Sequence, residues 1–153
     1  MSYTIPSKTE LSHVEQLCLM ENPYDNFEET RELFKKAMQE NILWHSERCE
    51  FYKKFLVGNN FDLNSKLDLS KVPGLIATFF KRNEIRSIDE KDVSLHLTSS
   101  GTTGQKSQMF FDEWTIGSAQ DMVAKIFKHN GWVSDQPVNL SLIHISEPTR
   151  LGM

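Results

Sequence analysis

LTSSGTTGQKSQ, residues 97–108, is the stretch on which the reading of this chain turns. Hydroxyl side chains, two glycines and a lysine crowd together there, which is what a backbone needs to wrap a polyphosphate. Gly101 and Gly104 can take positive φ and let ligand oxygens approach the main chain. Successive N–H groups in such a loop can point inward as an anion-binding nest. Ser99, Ser100, Thr102, Thr103 and Ser107 add hydroxyl donors, and Lys106 adds a mobile positive charge. The Walker phosphate loop needs four residues between its glycines and a Lys-Ser or Lys-Thr immediately afterwards. Here only Thr102 and Thr103 separate the glycines and Gln105 precedes Lys106, so that loop is excluded by spacing. A polar hairpin turn remains the other reading of the same residues, because Ser, Thr and Gly dominate turns for local backbone reasons.

The flanks supply strands. Val93, Leu95 and Leu97 alternate with Ser94, His96 and Thr98, the period of a strand half buried on one face. Gln108, Met109, Phe110 and Phe111 make a second short strand, which puts the loop at the tip of a hairpin. His96 faces away from Leu95 and Leu97 and reads as a surface histidine. Asp112 is a good N-cap for a helix over residues 113–130, and Gly131 supplies its stop. Ile116, Ala119, Met122, Val123, Ile126 and Phe127 form the stripe expected to be buried. Beyond it, Val138-Asn139-Leu140 looks like the opening of a buried strand.

Upstream the pattern is helical. Ser7 and Glu10 have the spacing of a capping box, which predicts a first helix over residues 7–21 with Leu11, Val14, Leu17, Cys18 and Met20 on its apolar side. Asn22-Pro23 ends it. A long second helix is expected over residues 26–57, with Phe27, Leu33, Phe34, Ala37, Met38, Trp44, Phe51, Tyr52 and Phe55 as its core face. Gly58-Asn59-Asn60 stops it. His45, within that helix, reads as a satisfied or exposed histidine. Residues 61–70 are polar and loop-like. In residues 72–81, VPGLIATFFK, Pro73 favours an ordered extended segment, with a short helix near residues 78–81 and Lys81 or Arg82 left at the surface.

Composition bounds the functions available. A chain of 153 residues that is 39% apolar and 25% charged can build a core. Its net charge of -4 gives no general attraction to a phosphodiester backbone, and the pairs Lys35-Lys36, Lys53-Lys54 and Lys81-Arg82 read as solvated faces, so no nucleic acid is expected as a partner. No apolar run approaches the roughly 18 residues of a membrane span, and no secretory leader follows Met1. A cytoplasmic protein is expected. Cys18 and Cys49 have neither a Cys-x-x-Cys spacing nor a His at ligand spacing, so they read as small buried hydrophobes. No metal site and no catalytic residue is nominated.

Ser99-Ser100-Gly101-Thr102-Thr103-Gly104 resembles the Ser/Thr/Gly signature of the adenylate-forming enzymes, which include acyl-CoA synthetases, phenylacetate-CoA ligases and acyl-protein synthetases. The usual continuation is Pro-Lys-Gly. Here Gln105-Lys106-Ser107-Gln108 follows, which is similar to the acyl-protein synthetases of bacterial bioluminescence operons, the long-chain fatty acid protein ligases. The segment 72–81 resembles that family's proline-led stretch ending in Phe-Lys. The resemblance implies an α/β fold: N-terminal helices over residues 1–60, then over 61–139 the start of the large α/β domain of an adenylate-forming enzyme. It implies ATP and Mg²⁺ as cofactors. Ser99, Ser100, Gly101, Thr102, Thr103, Gly104, Lys106 and Ser107 would lie around the ATP phosphates, with Lys106 one residue earlier than the usual lysine. The implied reaction activates a fatty acid or other carboxylate as an acyl-adenylate, moves the acyl group to a cysteine thiol, and passes it to an acyl-accepting reductase. The family's acceptor cysteine lies far toward its C-terminus, and neither Cys18 nor Cys49 matches it.

Residues 140–150, LSLIHISEPTR, resemble a translated sequencing adapter, and residues 140–153 are therefore expected to be a library-derived tail on an N-terminal portion of a longer protein. Such a portion is expected to be inactive by itself. Two other readings stand beside this one: a piece of an aryl- or acyl-CoA ligase, which shares the loop, and a small non-catalytic helical protein whose Ser/Gly loop is only a turn.

Overall fold

The computed structural model describes residues 4–22, 24, 27–63, 65, 67–99 and 106–132. Among them the chain is mixed α/β and mostly helical. Its α-helices are α1 (Ser12–Leu19), α2 (Phe27–Arg48), α3 (Glu50–Gly58), α4 (Phe79–Arg82) and α5 (Glu113–His129). The strands β1 (Leu95–Thr98) and β2 (Gln108–Phe111) form a two-stranded antiparallel sheet, and single 3-10 turns occupy Leu69–Lys71 and Glu90–Asp92.

The helix α1 starts at Ser12, later than the capping-box spacing predicts. Ser7 instead sits in the left-handed region at φ 50°, and its carbonyl accepts the Glu10 and Leu11 N–H groups at 2.8 and 3.1 Å. The Glu10 carboxylate, expected to reach back to Ser7, pairs with Arg48 at 2.7 Å. A partner from α2 supplies the cap. Glu40 accepts the backbone N–H groups of His13 and Val14 at 2.8 and 3.1 Å, the Ser12 hydroxyl at 3.2 Å, and a short hydrogen bond from the His13 ring. A carboxylate at these free N–H groups also faces the positive end of the helix dipole.

The single long helix predicted over residues 26–57 is two helices. Cys49 lies between them in an extended conformation (φ -123°, ψ 101°) and is buried. The sequence there holds no Gly or Pro to announce the break. Side chains complete the end of α2 instead: Arg48 donates to the Trp44 carbonyl at 3.3 Å and Ser46 to that of Leu43 at 2.8 Å. Beyond the break, Phe51 and Phe55 each meet Phe79 of α4 edge-on, with ring centroids 5.7 Å apart. This contact pins the proline-led segment, and the short helix expected there is present. Phe34, expected in the core face of α2, is exposed.

Ile5, Leu11 and Trp44 form the buried centre, with Val14, Ile88 and Trp114 against it. That cluster joins the N-terminal segment, α1, α2, the approach to β1 and the first turn of α5. Helix α5 matches its local signals. Asp112 accepts the Thr115 N–H at 2.7 Å. At the other end Gly131 takes φ 66°, its N–H reaches the Lys128 carbonyl, and Trp132 N–H reaches that of Phe127 at 2.9 Å. This is a Schellman-type close, with the Trp132 and Phe127 rings in contact beside it. The predicted apolar stripe of α5 is only partly covered: Ile116, Met122, Ile126 and Phe127 are half-buried, whereas Ala119 and Val123 are exposed.

Candidate functional site

The hairpin places the two ends of the Ser/Thr/Gly loop side by side. Leu95 pairs with Phe111, His96 with Phe110, Leu97 with Met109 and Thr98 with Gln108. One step further, Ser99 N–H donates to the Ser107 carbonyl at 3.0 Å, and Ser107 N–H donates to the Ser99 hydroxyl oxygen at 2.9 Å. The two serines thus form a closed neck below the loop tip. Lys106 stands at that neck, exposed to solvent. Ser100, Gly101, Thr102, Thr103 and Gly104 lie outside the described residues.

The two faces of the hairpin differ. On one, His96 stacks on Phe110 with ring centroids 4.4 Å apart, and the Arg86 guanidinium lies 5.5 Å from the Phe110 ring centre. The other carries Leu95, Leu97 and Met109, which are 39%, 47% and 49% exposed. The alternation predicted for β1 is real, but Leu95 and Leu97 are exposed where burial was expected, while Phe111, opposite Leu95 on the same face, is half-buried. The ladder starts at Leu95, and Val93 caps the preceding 3-10 turn.

Beside the hairpin lies a cleft of about 700 Å³, walled by α1, α2, the 85–88 segment, β2 and α5. Val14, Trp44, Ile85, Ile88, Phe110 and Met122 represent its mostly apolar lining. A second, more polar cavity of about 620 Å³ adjoins it and shares Trp44, Ser87 and Asp112 as wall. Within the first cleft the His45 ring nitrogen Nδ1 and the Ser87 hydroxyl are 2.7 Å apart. The His45 ring meets those of Trp44 and Tyr52 in T-shaped contacts. Burial holds the His45 imidazole below its ordinary range; Arg48 acts in the same direction and Asp112 opposes it. Burial likewise pushes the Tyr52 phenol up. His45 is thus a bonded member of a cavity wall that draws on residues far apart in sequence. That is why spacing did not reveal it.

The remaining candidates have structural surroundings. Cys49 is buried at the α2–α3 break. Cys18 is half-buried, and burial pushes its thiol up, partly offset by Lys125. Lys81 is half-buried and Arg82 exposed, both on α4. Among the described residues no group of His, Cys, Asp and Glu side chains could hold a metal ion, and no helix is long and apolar enough to cross a membrane.

The profile of the family described as acyl-protein synthetase, LuxE, matches residues 5–151. The chain is similar to a long-chain-fatty-acid–luciferin-component ligase of Aliivibrio fischeri, 27% identical over 106 residues that cover 69% of this chain and 28% of that protein. It is also similar to a ligase of the same name from Photorhabdus luminescens, 27% identical over 105 residues, covering 66% of this chain and 87% of that one. The chain thus spans little more than a quarter of the Aliivibrio relative. No solved structure matches it.

Proposed function

Since this chain belongs to the LuxE acyl-protein synthetase family, we propose that it forms part of a cytoplasmic, ATP-dependent ligase that activates a long-chain fatty acid as an acyl-adenylate and transfers it to a protein thiol. The family match over most of the chain carries this reading. Two relatives are named as ligases joining a long-chain fatty acid to a luciferin component, and the family description, acyl-protein synthetase, favours a protein acceptor over coenzyme A. Residues 1–60 serve as a helical lead-in and 61–139 as the start of an adenylate-forming α/β domain. Residues 140–153 are read as a tail and are assigned no role in the site.

In this reading the loop above the Ser99–Ser107 neck holds the ATP phosphates. As the bond at the α-phosphorus breaks, charge moves onto the departing pyrophosphate. N–H and hydroxyl donors from Ser100, Thr102 and Thr103, with the ammonium of Lys106, are the groups assigned to stabilise that charge, since donors aimed at developing charge lower the barrier. Lys106 stands exposed at the neck, where its ammonium is placed for an anion at the loop. Mg²⁺ supplies further charge neutralisation when bound, and it is assigned to the nucleotide phosphates, since such ions are commonly held by phosphates, waters and one or two carboxylates. The chain of 153 residues is taken to bind nucleotide without completing the ligation.

Equilibrium dialysis of the intact chain with labelled ATP tests this. Binding that weakens about tenfold in Lys106→Ala, the loss of one charge-assisted contact, is the expected result. Equal ATP binding by the wild type and a Gly101→Val, Gly104→Val double variant would remove the loop from the site.

A further inference from the structure

We propose that the 700 Å³ cleft between α1, α2, β2 and α5 seats the aliphatic tail of a long-chain carboxylate, with Arg86 holding its carboxylate end. This rests on the fatty-acid reading above and adds where the chain lies and which side chain selects the acid. The volume falls within the range of about 300 to 1,000 Å³ usual for small-molecule sites. Its lining is dominated by Val14, Ile85, Ile88, Phe110 and Met122, which give a flexible hydrocarbon contact without hydrogen-bond demands.

Two observations point to a polar end. Arg86 lines the cleft with its guanidinium over Phe110, and one of its terminal nitrogens meets Glu84 at 3.1 Å. A guanidinium carries five N–H donors in a planar fork, so the pairing with Glu84 leaves donors for a second carboxylate. Independently, the Trp44 indole Nε1 is buried without a hydrogen-bond partner among the described residues, although the side chain is only 7% exposed. Buried donors are nearly always satisfied, and Trp44 borders the cleft, so an incoming oxygen would reach this one where the side chains covering it give way. Asp112, a second acidic group in the wall, accepts the Thr115 N–H through one oxygen and keeps its charge, so the Arg86 guanidinium has to outweigh it.

The placement also suits the chemistry. Phe110, under Arg86, lies three positions along β2 from Ser107, which is about 10 Å at the usual strand rise. A carboxylate held by Arg86 therefore sits along the same strand that leads into the phosphate loop.

Trp44 and Trp114 border the cleft, so tryptophan fluorescence of the intact chain reads its occupancy. The titration uses acetate, octanoate, hexadecanoate and hexadecanol, each as monomers. Affinity should rise steeply with chain length, and hexadecanoate should bind about tenfold more tightly than hexadecanol, the scale of one charge-assisted contact. Arg86→Met should erase that preference for the acid while leaving hexadecanol binding intact. Ala119→Trp, at an exposed position on the rim, should block both ligands without loss of helical circular dichroism. Binding independent of chain length, or unaffected by Ala119→Trp, overturns the proposal. ATP dialysis on the same sample separates the two readings: ATP binding without hexadecanoate binding overturns the acyl seat alone.

Discussion

Lys125 of α5 donates its ammonium to the carbonyls of Cys18 and Met20, at 3.1 and 2.8 Å, and so closes the C-terminus of α1. The two partners are more than a hundred residues apart in sequence, and the contact fixes one wall of the cleft to another. Charge-assisted bonds of this kind contribute about 1.5 to 3 kcal/mol each, and a cation at a helix C-terminus adds to that. Lys125→Met should therefore lower the unfolding free energy by about 2 kcal/mol in urea denaturation. Lys125→Arg should recover part of it.

Glu40 plays the corresponding part at the other end of α1. It satisfies the His13 and Val14 N–H groups from a different helix. Removing a capping acceptor costs about 0.5 to 2 kcal/mol, so Glu40→Ala should destabilise by about that amount. Hydrogen exchange should show the loss concentrated at residues 12–15. Glu40→Gln keeps an acceptor oxygen and should cost less.

His45 makes stability depend on pH. Its folded imidazole titrates below the ordinary value of 6.5, chiefly through burial. In the interval between the lowered value and 6.5 the unfolded chain binds the proton and the folded chain does not. Stability from this group is therefore complete above 6.5 and is lost as the pH falls toward the lowered value. His45→Asn should flatten this part of the profile. Urea midpoints taken from neutral to mildly acidic solution check it.

The uncovered side of the hairpin predicts self-association. Leu95, Leu97 and Met109 form one apolar face on a sheet whose edges are open among the described residues. Leu97→Thr should reduce light scattering at a given concentration. Because the position is exposed and Thr suits a strand, the change in unfolding free energy should stay within about 0.5 kcal/mol.

Local chemistry made some of this structure legible in the sequence. Asp112 and Gly131 announce the ends of α5 because a cap and a left-handed stop act over a few residues. The alternation around the loop announced β1 and β2 for the same reason. What failed was decided by distant partners. Ser7 and Glu10 carry a capping-box spacing, but Arg48 takes the Glu10 carboxylate and Glu40 takes the helix N-terminus. Cys49 interrupts a helical pattern without a breaker, where α3 turns its aromatics to Phe79. The exposure of Leu95 and Leu97 depends on what covers a face, which a strand's own sequence does not state. Of the loop residues, Ser99, Lys106 and Ser107 fall within the described structure, and the cleft beside them is assembled from separate segments that no motif connects.

The Ser99–Ser107 neck has a chemical consequence of its own. The Ser99 oxygen already accepts the Ser107 N–H, so one lone pair is committed. Accepting that bond polarises the hydroxyl and makes its hydrogen a better donor. Ser99 thereby receives from the backbone while its hydroxyl becomes a stronger donor toward any acceptor it meets. An alanine there would remove the latch and the hydroxyl donor in a single stroke, while a threonine would keep both.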